Sequence, residues 1–391
     1  MSTRAEVYAA GYGCAAAPGS CAKALSEAVL RNEPVLRPAL FLSVPALASL
    51  SLGAISRGEW ERLLSCSPGG GAAYALAAAA IREAQAHAGA ALERVAPERI
   101  GFALSTTKAG IDLLSRAGPP GAIPRDALPL SLAQHLARDF RCLGPVRCVS
   151  LACTSGVAAL ALGAELIRGD CADAVVVAGV DILSDFVVAG FNALKSIDPA
   201  GCRPFGRDRR GLSPGEAAAA IVLARRAKPG CRAFRVLGWG TSNDANHLTG
   251  PSRDGRGLAL AITRALENAH VAPGRVGYVN AHGTGTPYND AMEALAVKSV
   301  FGDAPPPISS TKGLTGHTLG AAGVLESVIC LQAMETGLLP GTAGLDIPDP
   351  AAPPSLLAAP RQGRAPDIAL NVNAGFGGIN AAMLFGSEAA A

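Results

Sequence analysis

The chain is poor in aromatic residues, 4% of its 391 positions, and poor in charge, with charged residues at 17%. A core with so few rings must be packed by Ala, Val, Leu and Gly, whose small size suits close helix–sheet contacts. The net charge of +3 excludes a strongly basic nucleic-acid binder, yet it leaves room for a local basic patch that meets an acidic partner. Ten cysteines stand at 14, 21, 66, 142, 148, 153, 171, 202, 231 and 330, without one C-x-x-C pair. No His/Cys grouping has zinc spacing either, so the sequence offers no metal site. The opening MSTRAEVYAAGYG lacks a signal-peptide pattern. No uncharged run reaches the ~18–20 apolar residues that a membrane helix needs. The expectation is a soluble, cytoplasmic, reduced protein with no membrane span and no nucleic-acid partner.

What is present is apolar chain in quantity: 49% hydrophobic residues, enough for two domains or one large two-halved fold. RIGFALS (99–105), VRCVSLA (146–152) and DAVVVAGVD (173–181) read as strands, the last as one covered on both faces. EAAAAIVLARR (216–226) is ambiguous between helix and strand. RAFRVLGWGTS (232–242) and VGYVNAHG (276–283) read as strands. GRGLALAITRALENA (255–269), AMEALAVKSVF (291–301) and AAGVLESVICLQAMETG (321–337) read as helices, the last with a Gly stop. DIALNVNAGFGGINAAMLFG (367–386) reads as two strands around a Gly-rich turn. Such alternation implies an α/β fold with parallel sheets covered by helices, in two halves, 1–230 and 231–391. No strict sequence repeat relates them. GPPGAIPRDALP (118–129) and PDPAAPPSLLAAPRQGRAP (348–366) are loop-like, the second because its prolines forbid helix.

One cysteine has a special context. In CVSLACTSGVAALALGAELIRG (148–169) an apolar strand ends at Ala152 and a helix starts at or just after Cys153. Thr154 and Ser155 can cap orphan amides, and Gly156 permits close backbone approach. A thiol at a helix N-terminus sits in a positive field that favours thiolate and lowers its pKa. The same amides can hold an oxyanion once the sulfur attacks a carbonyl. The competing reading is a small residue packed at a tight strand–helix junction.

Two of the six histidines stand in Gly/Thr-rich loops, His282 in NAHGTGTP (280–287) and His317 in SSTKGLTGHTLGAAG (309–323). Lys312 precedes His317 in the same loop, and Glu326 on the following helix is a fitting counter-charge, which a buried lysine demands. ALNVNAGFGGIN (369–380) sets Phe376 among glycines, as a movable wedge, a backbone amide donor, or a core Phe in a tight turn.

ACTSG, NAHGTGTP, KGLTGHTLGAAG and GFGGIN together resemble the β-ketoacyl-acyl carrier protein synthases, in that family's order and at about its spacings, from about Gly101 to Gly386. The resemblance implies the thiolase fold, two similar βαβ-type halves in an α-β-α-β-α layering. It implies Cys153 as acyl-accepting nucleophile, His282 and His317 as the paired histidines, and Lys312 with Glu326 as its acidic partner. Thr284 and Thr286 match threonines that bond phosphopantetheine amides. Phe376 matches a gating Phe whose amide joins that of Cys153 in an oxyanion hole. Arg207, Arg209 and Arg210, in CRPFGRDRRGLSPGEAAAAIVLA (202–224), are expected to meet an acidic acyl carrier protein.

The implied reaction is decarboxylative condensation of malonyl-carrier protein with a Cys-bound acyl chain, extending it by two carbons without metal or redox cofactor. The family often reads NSFGFGGTN where this chain has Ala374 and Ile379 in place of Phe and Thr. The stretch 106–135 is shorter than in a housekeeping synthase. Both point to a specialised polyene, polyketide or modified-lipid pathway. A homodimer is expected, with a heterodimer containing a chain-length-factor-like subunit as the alternative. Three other readings compete. A degradative thiolase pairs its nucleophile with one histidine and a second cysteine, and an acyl-coenzyme A-priming synthase carries His/Asn; two histidines disfavour both. A silent partner subunit typically lacks the nucleophile.

Overall fold

The structure is a computed structural model that describes residues 5–67, 71–115, 123–227, 230 and 232–388. The first four residues, positions 118–122 of the first loop and Cys231 lie outside the described residues.

Five strands build the first half: β1 Tyr8–Ala16, β2 Ile100–Ser105, β3 Val146–Val149, β4 Ala174–Asp181 and β5 Ala217–Ala224. The second half holds β6 Phe234–Asn243, β7 Tyr278–Asn280 and β8 Ile308–Ser309, the two-stranded ribbon of β9 Leu338–Leu339 with β10 Arg361–Gln362, then β11 Ile368–Gly375 and β12 Ile379–Ser387. The strand order is β3-β2-β4-β5-β1 in the first sheet and β8-β7-β11-β12-β6 in the second, and the two sheets join where β1 meets β6 at Tyr8 and Arg235.

The two orders are the same order, 3-2-4-5-1, with the same directions. β2 pairs in parallel with β3 and β4, while β5 runs antiparallel to β4 and β1. β7 pairs in parallel with β8 and β11, while β12 runs antiparallel to β11 and β6. The sheets are therefore mixed rather than parallel. The physical reason is plain in the second half, where β11 and β12 are joined by the tight turn 376–378, a connection that only antiparallel neighbours can use.

Three helical layers enclose the sheets. On the outer face of the first, Leu76 and Ile81 of helix Ala72–Ala88 and Leu132 and Leu136 of helix Pro129–Asp139 pack on Phe102, Leu104 and Val176. On the outer face of the second, Leu258 and Ile262 of helix Arg256–Ala269 and Met292 and Val297 of helix Pro287–Phe301 pack on Leu370, Val372 and Leu384. Helices Ser155–Arg168 and Ala322–Thr336 fill the middle, with Val157, Leu160, Val324 and Val328 in one core with Val175, Val177, Ile221, Met383 and Phe385. The ambiguous alanine run is strand β5, buried throughout because helices cover both its faces. Its even-numbered residues 218–224 face the outer core, and its odd-numbered ones from 217 to 223 face the inner.

The two middle helices touch backbone to backbone. A Cβ on Gly156 would lie 2.5 Å from the Val324 nitrogen, and one on Gly323 would lie 2.5 Å from the Val157 nitrogen. This approach sets the start of one helix, with Cys153, against the loop that leads into the other, with His317. No helix among the described residues is long and apolar enough to cross a membrane.

Candidate active site

Cys153 lies on an elbow. The chain leaves β3 at Val149, turns through Ala152 at φ 49 and enters helix Ser155–Arg168. A non-glycine residue in this left-handed region costs about 1–2 kcal/mol, so the turn must be held. Thr154 Oγ1 donates to the Leu151 carbonyl at 2.7 Å and Ser155 Oγ to the Ala152 carbonyl at 2.6 Å, while Ser155 Oγ accepts from the Leu151 amide at 2.8 Å. The two hydroxyls thus brace the elbow and do not cap the helix amides, as the sequence had suggested.

His317 reaches the nucleophile from the second half. Its Nε2 lies 3.0 Å from Cys153 Sγ, and its Nδ1 accepts from the Leu319 amide at 3.3 Å. That second bond places the ring proton on Nε2, so the imidazole donates to sulfur. Both backbone groups of His317 are used by the neighbouring segment: its amide donates to the Ser213 carbonyl at 2.7 Å, and its carbonyl accepts from Gly215 at 2.9 Å. His282 follows β7, and its ring stands 5.2 Å from that of His317, edge to face at 82°. Glu293 holds this turn by accepting from the His282 and Gly283 amides, each at 2.7 Å. The thiol and one nitrogen of each ring lie within 4.8 Å of one another. Among the described residues this is the group with the donor set for a soft metal ion, a cluster invisible in the residue spacing.

Lys312 is 1% exposed and starts a short helix. Its Nζ donates to Glu326 Oε1 and to the His282 carbonyl, each at 2.5 Å, and Asn373 donates to Glu326 Oε2 at 2.6 Å. Burial first, and the Lys312 charge second, push both imidazoles well below the usual histidine range. They are neutral N–H donors at neutral pH. Burial pushes the Cys153 thiol up to about 11, against the pull of Lys312, of Lys108 and of the nearby Phe376 backbone. The lowered pKa expected from the helix terminus is thus overturned, because the sulfur lies where water cannot solvate a charge.

Cys153, His282, His317, Thr284, Thr286 and Phe376 all line one cleft of about 640 Å³. Thr284 Oγ1 and Thr286 Oγ1 are 2.9 Å apart on its wall. Asp290 secures their loop by accepting from the amides of Thr284 at 3.0 Å, Gly285 at 3.1 Å and Phe205 at 2.8 Å.

Of the three arginines, Arg207 and Arg210 are exposed, and Arg210 also lines the cleft. Arg209 corrects the reading from sequence. Its side chain is 8% exposed, its Nη1 is 2.5 Å from Asp349, and it donates to the carbonyls of Gly206, Thr286 and Pro287. It is an internal brace, out of reach of a docking partner.

Asp181 was missed. Its carboxylate accepts from Thr106 Oγ1 at 2.9 Å, from the Thr107 and Lys108 amides at 3.0 and 3.1 Å, and from the Gly320 amide at 2.7 Å. It fastens the loop after β2 to the turn just past His317. An acid closing the apolar run DAVVVAGVD was the available signal, since a buried carboxylate must find donors. Lys108, Asp290, Glu293 and Asn373 were missed as well.

The chain is similar to known proteins along most of its length. The profile of the beta-ketoacyl synthase N-terminal domain matches residues 72–228, and that of the C-terminal domain matches residues 233–346. The chain is 37% identical over 338 residues to the tetracenomycin polyketide synthase ketoacyl synthase alpha subunit of Streptomyces glaucescens, covering 78% of this chain and 79% of the relative. It is 33% identical over 313 residues to 3-oxoacyl-acyl-carrier-protein synthase 2 of Vibrio cholerae, covering 73% and 75%. A chain in the structure of the ketosynthase ApeO with its chain length factor ApeC, from Xenorhabdus doucetiae, matches at 31% identity with a TM-score of 0.84 over 98% of both chains. With this fold, this cysteine elbow and two halves that each match their own profile, the chain belongs to the β-ketoacyl synthase family, of the thiolase fold.

Proposed function

We propose that the chain is a catalytically competent condensing acyltransferase that joins a Cys153-bound acyl group to the two-carbon unit of a malonyl-carrier protein. One observation carries this reading: the Cys153 sulfur lies 3.0 Å from His317 Nε2, with His282 beside them and one nitrogen of each ring and the thiol within 4.8 Å of one another.

The chemistry follows from the geometry. The Cys153 sulfur attacks the incoming thioester carbonyl, and the oxyanion rests on the Cys153 and Phe376 amides. The exchange is proton-neutral, because the thiol proton leaves with the departing pantetheine thiol. A thiol pushed up to about 11 therefore needs a donor that stabilises sulfur charge during attack, which His317 supplies. A malonyl thioester then loses carbon dioxide, and the electron pair of the broken carbon–carbon bond becomes an enolate. Its oxygen takes the N–H groups of His282 and His317, which donate without carrying charge. The enolate carbon attacks the acyl-Cys153 carbonyl, the carbon–sulfur bond breaks, and the thiolate, held by the His317 N–H, takes one proton from solvent to restore the thiol. Lys312 fixes the His282 turn through its carbonyl and keeps both rings neutral. No metal or redox cofactor takes part in this scheme, and acyl carrier protein delivers both substrates.

A second reading has a specific observation behind it. A solved neighbour pairs a ketosynthase with a chain length factor, so this chain works in a dimer either with its own copy or with such a subunit, and could be the silent member. The assembled Cys–His–His site favours the active role. Intact-mass measurement after mixing with a panel of acyl-carrier proteins tests this, with Cys153→Ala alongside. An acyl adduct that vanishes in the variant supports the reading, and no adduct from any donor overturns it. Sedimentation of the chain alone decides the dimer: a stable monomer overturns the homodimer.

A further inference from the structure

One buried carboxylate reaches from the first half to a histidine of the second. Asp181 closes β4 and is 1% exposed. Its oxygens accept from Thr106 Oγ1 at 2.9 Å, from the Thr107 amide at 3.0 Å and hydroxyl at 2.8 Å, and from the Lys108 amide at 3.1 Å. The shortest bond, 2.7 Å, comes from the Gly320 amide of the second half. Ser105 Oγ donates to the Gly320 carbonyl at 2.9 Å, so this residue is held at both its amide and its carbonyl. No side chain fits there: a Cβ on Gly320 would lie 2.8 Å from Asp181 Oδ2 and 2.9 Å from the Thr107 nitrogen. The residue before it, Leu319, has φ 52, a left-handed conformation that a leucine keeps only where its surroundings hold it. In this turn the Leu319 amide donates to His317 Nδ1 at 3.3 Å. That is a long hydrogen bond, and it persists only while the turn keeps its shape.

We propose that Asp181 is a positioning residue for condensation: by holding Gly320 it keeps Leu319 in its strained turn, and the Leu319 amide then keeps the His317 proton on Nε2. The kinetic consequence rests on the synthase reading, whereas the tautomer rests on the geometry alone. A neutral imidazole has one donor nitrogen and one acceptor. With the proton on Nε2, His317 donates to the Cys153 sulfur, 3.0 Å away, and later to the enolate oxygen. With the proton on Nδ1, two N–H groups would face each other at Leu319, and Nε2 could only accept. It could then take the thiol proton, so loading of Cys153 survives, but it has nothing to donate to an enolate. Asp181 itself does not line the cleft, and it acts on His317 through the backbone of Gly320 and Leu319.

The test uses the full chain isotopically labelled at its histidine ring nitrogens. Proton–nitrogen correlation NMR shows which nitrogen carries the hydrogen, and His317→Ala identifies the His317 signal. Asp181→Ala breaks the contact from one side. Gly320→Ala breaks it from the other, because its methyl group displaces Asp181, and it reads the same contact where Asp181→Ala does not fold. Thr107→Val loosens the loop after β2 and leaves the Gly320 bond in place. The expected result is His317 protonated at Nε2 in the wild type and in Thr107→Val, with the Nδ1-protonated form appearing in Asp181→Ala and Gly320→Ala. Condensation then falls about tenfold, as the loss of one hydrogen-bond preference, while loading of Cys153 from butyryl-pantetheine, followed by intact mass, stays within about threefold of wild type. An unchanged tautomer in both variants overturns the proposal. So does an equal fall of loading and condensation, since His317 has then simply moved. A wild type that never loads overturns the synthase reading, while the NMR result still decides the role of Asp181, so the two failures are distinguishable.

Discussion

The first and second halves share strand order and strand directions, yet they give the site different things. The loop after β3 carries Cys153, and the loop at the equivalent place after β8 carries His317. The loop after β2 carries Lys108, and its counterpart after β7 carries His282. Asp181 ties down the first of these two loops, and Glu293 with Asp290 ties down the second. The connection from β4 to β5 spans 182–216 and contributes Phe191 and Arg210 to the cleft, while that from β11 to β12 is the turn 376–378 with Phe376 at its tip. The difference teaches that a repeated sheet sends corresponding loops to one point, and that the chemistry is divided by what each loop carries.

Removing the one reactive group of the first half is the largest test. Cys153→Ala lowers condensation by at least about 10,000-fold, read as β-ketoacyl product by mass spectrometry. The second half is broken next. His282→Ala and His317→Ala each cost about 3–4 kcal/mol in the condensation barrier as lost oxyanion donors. They differ in the loading step: only His317 bonds the sulfur, so His317→Ala slows Cys153 acylation while His282→Ala leaves it near wild type. Equal loading in the two variants would remove the distinction.

Lys312→Met leaves the Glu326 carboxylate buried without its cation and destabilises the fold by roughly 3–5 kcal/mol, measured by denaturant unfolding. Lys312→Met with Glu326→Gln regains most of that loss. Gly156→Ala and Gly323→Ala push the two halves apart at the middle helices. Each costs about 1–3 kcal/mol, and each slows loading of Cys153, because the elbow and the His317 loop separate.

The smallest effect is in pH. Burial raises Glu216 to about 7 and Glu293 to about 8, so each holds a proton in the fold that the unfolded chain releases near its ordinary value of 4.5. Their contribution to stability is full below 4.5 and is lost as pH rises through about 7 and about 8. His282 and His317 have lowered folded values, so their contribution is full above 6.5 and lost as pH falls below it. Between pH 6.5 and 8 only the carboxyls act, and stability falls as pH rises. Glu216→Gln shallows that slope, which thermal melts across the range detect.

Much of the site was legible because its signals are local. A cysteine between an apolar strand and a small-residue helix, and histidines wrapped in Gly and Thr, can be seen in single stretches. The strand assignments for 99–105, 173–181 and 232–242 follow from the same kind of pattern. The alanine run of β5 stayed ambiguous because composition cannot say whether one face or both will be covered. Arg209 read as a surface cation because the carboxylate that buries it, Asp349, lies 140 residues away in sequence.

By itself the sequence determined many of the strands and helices beyond residue 99 and the chemical types available to the site, since both are written in short-range periodicity and short motifs. Only the tertiary structure decided which of those groups meet, and in what charge state. The Gly156–Gly323 contact brings Cys153 and His317 together across 164 residues, and burial keeps the thiol and both imidazoles neutral. Burial and charge at a point depend on every element packed around it, and no single stretch of chain contains that information.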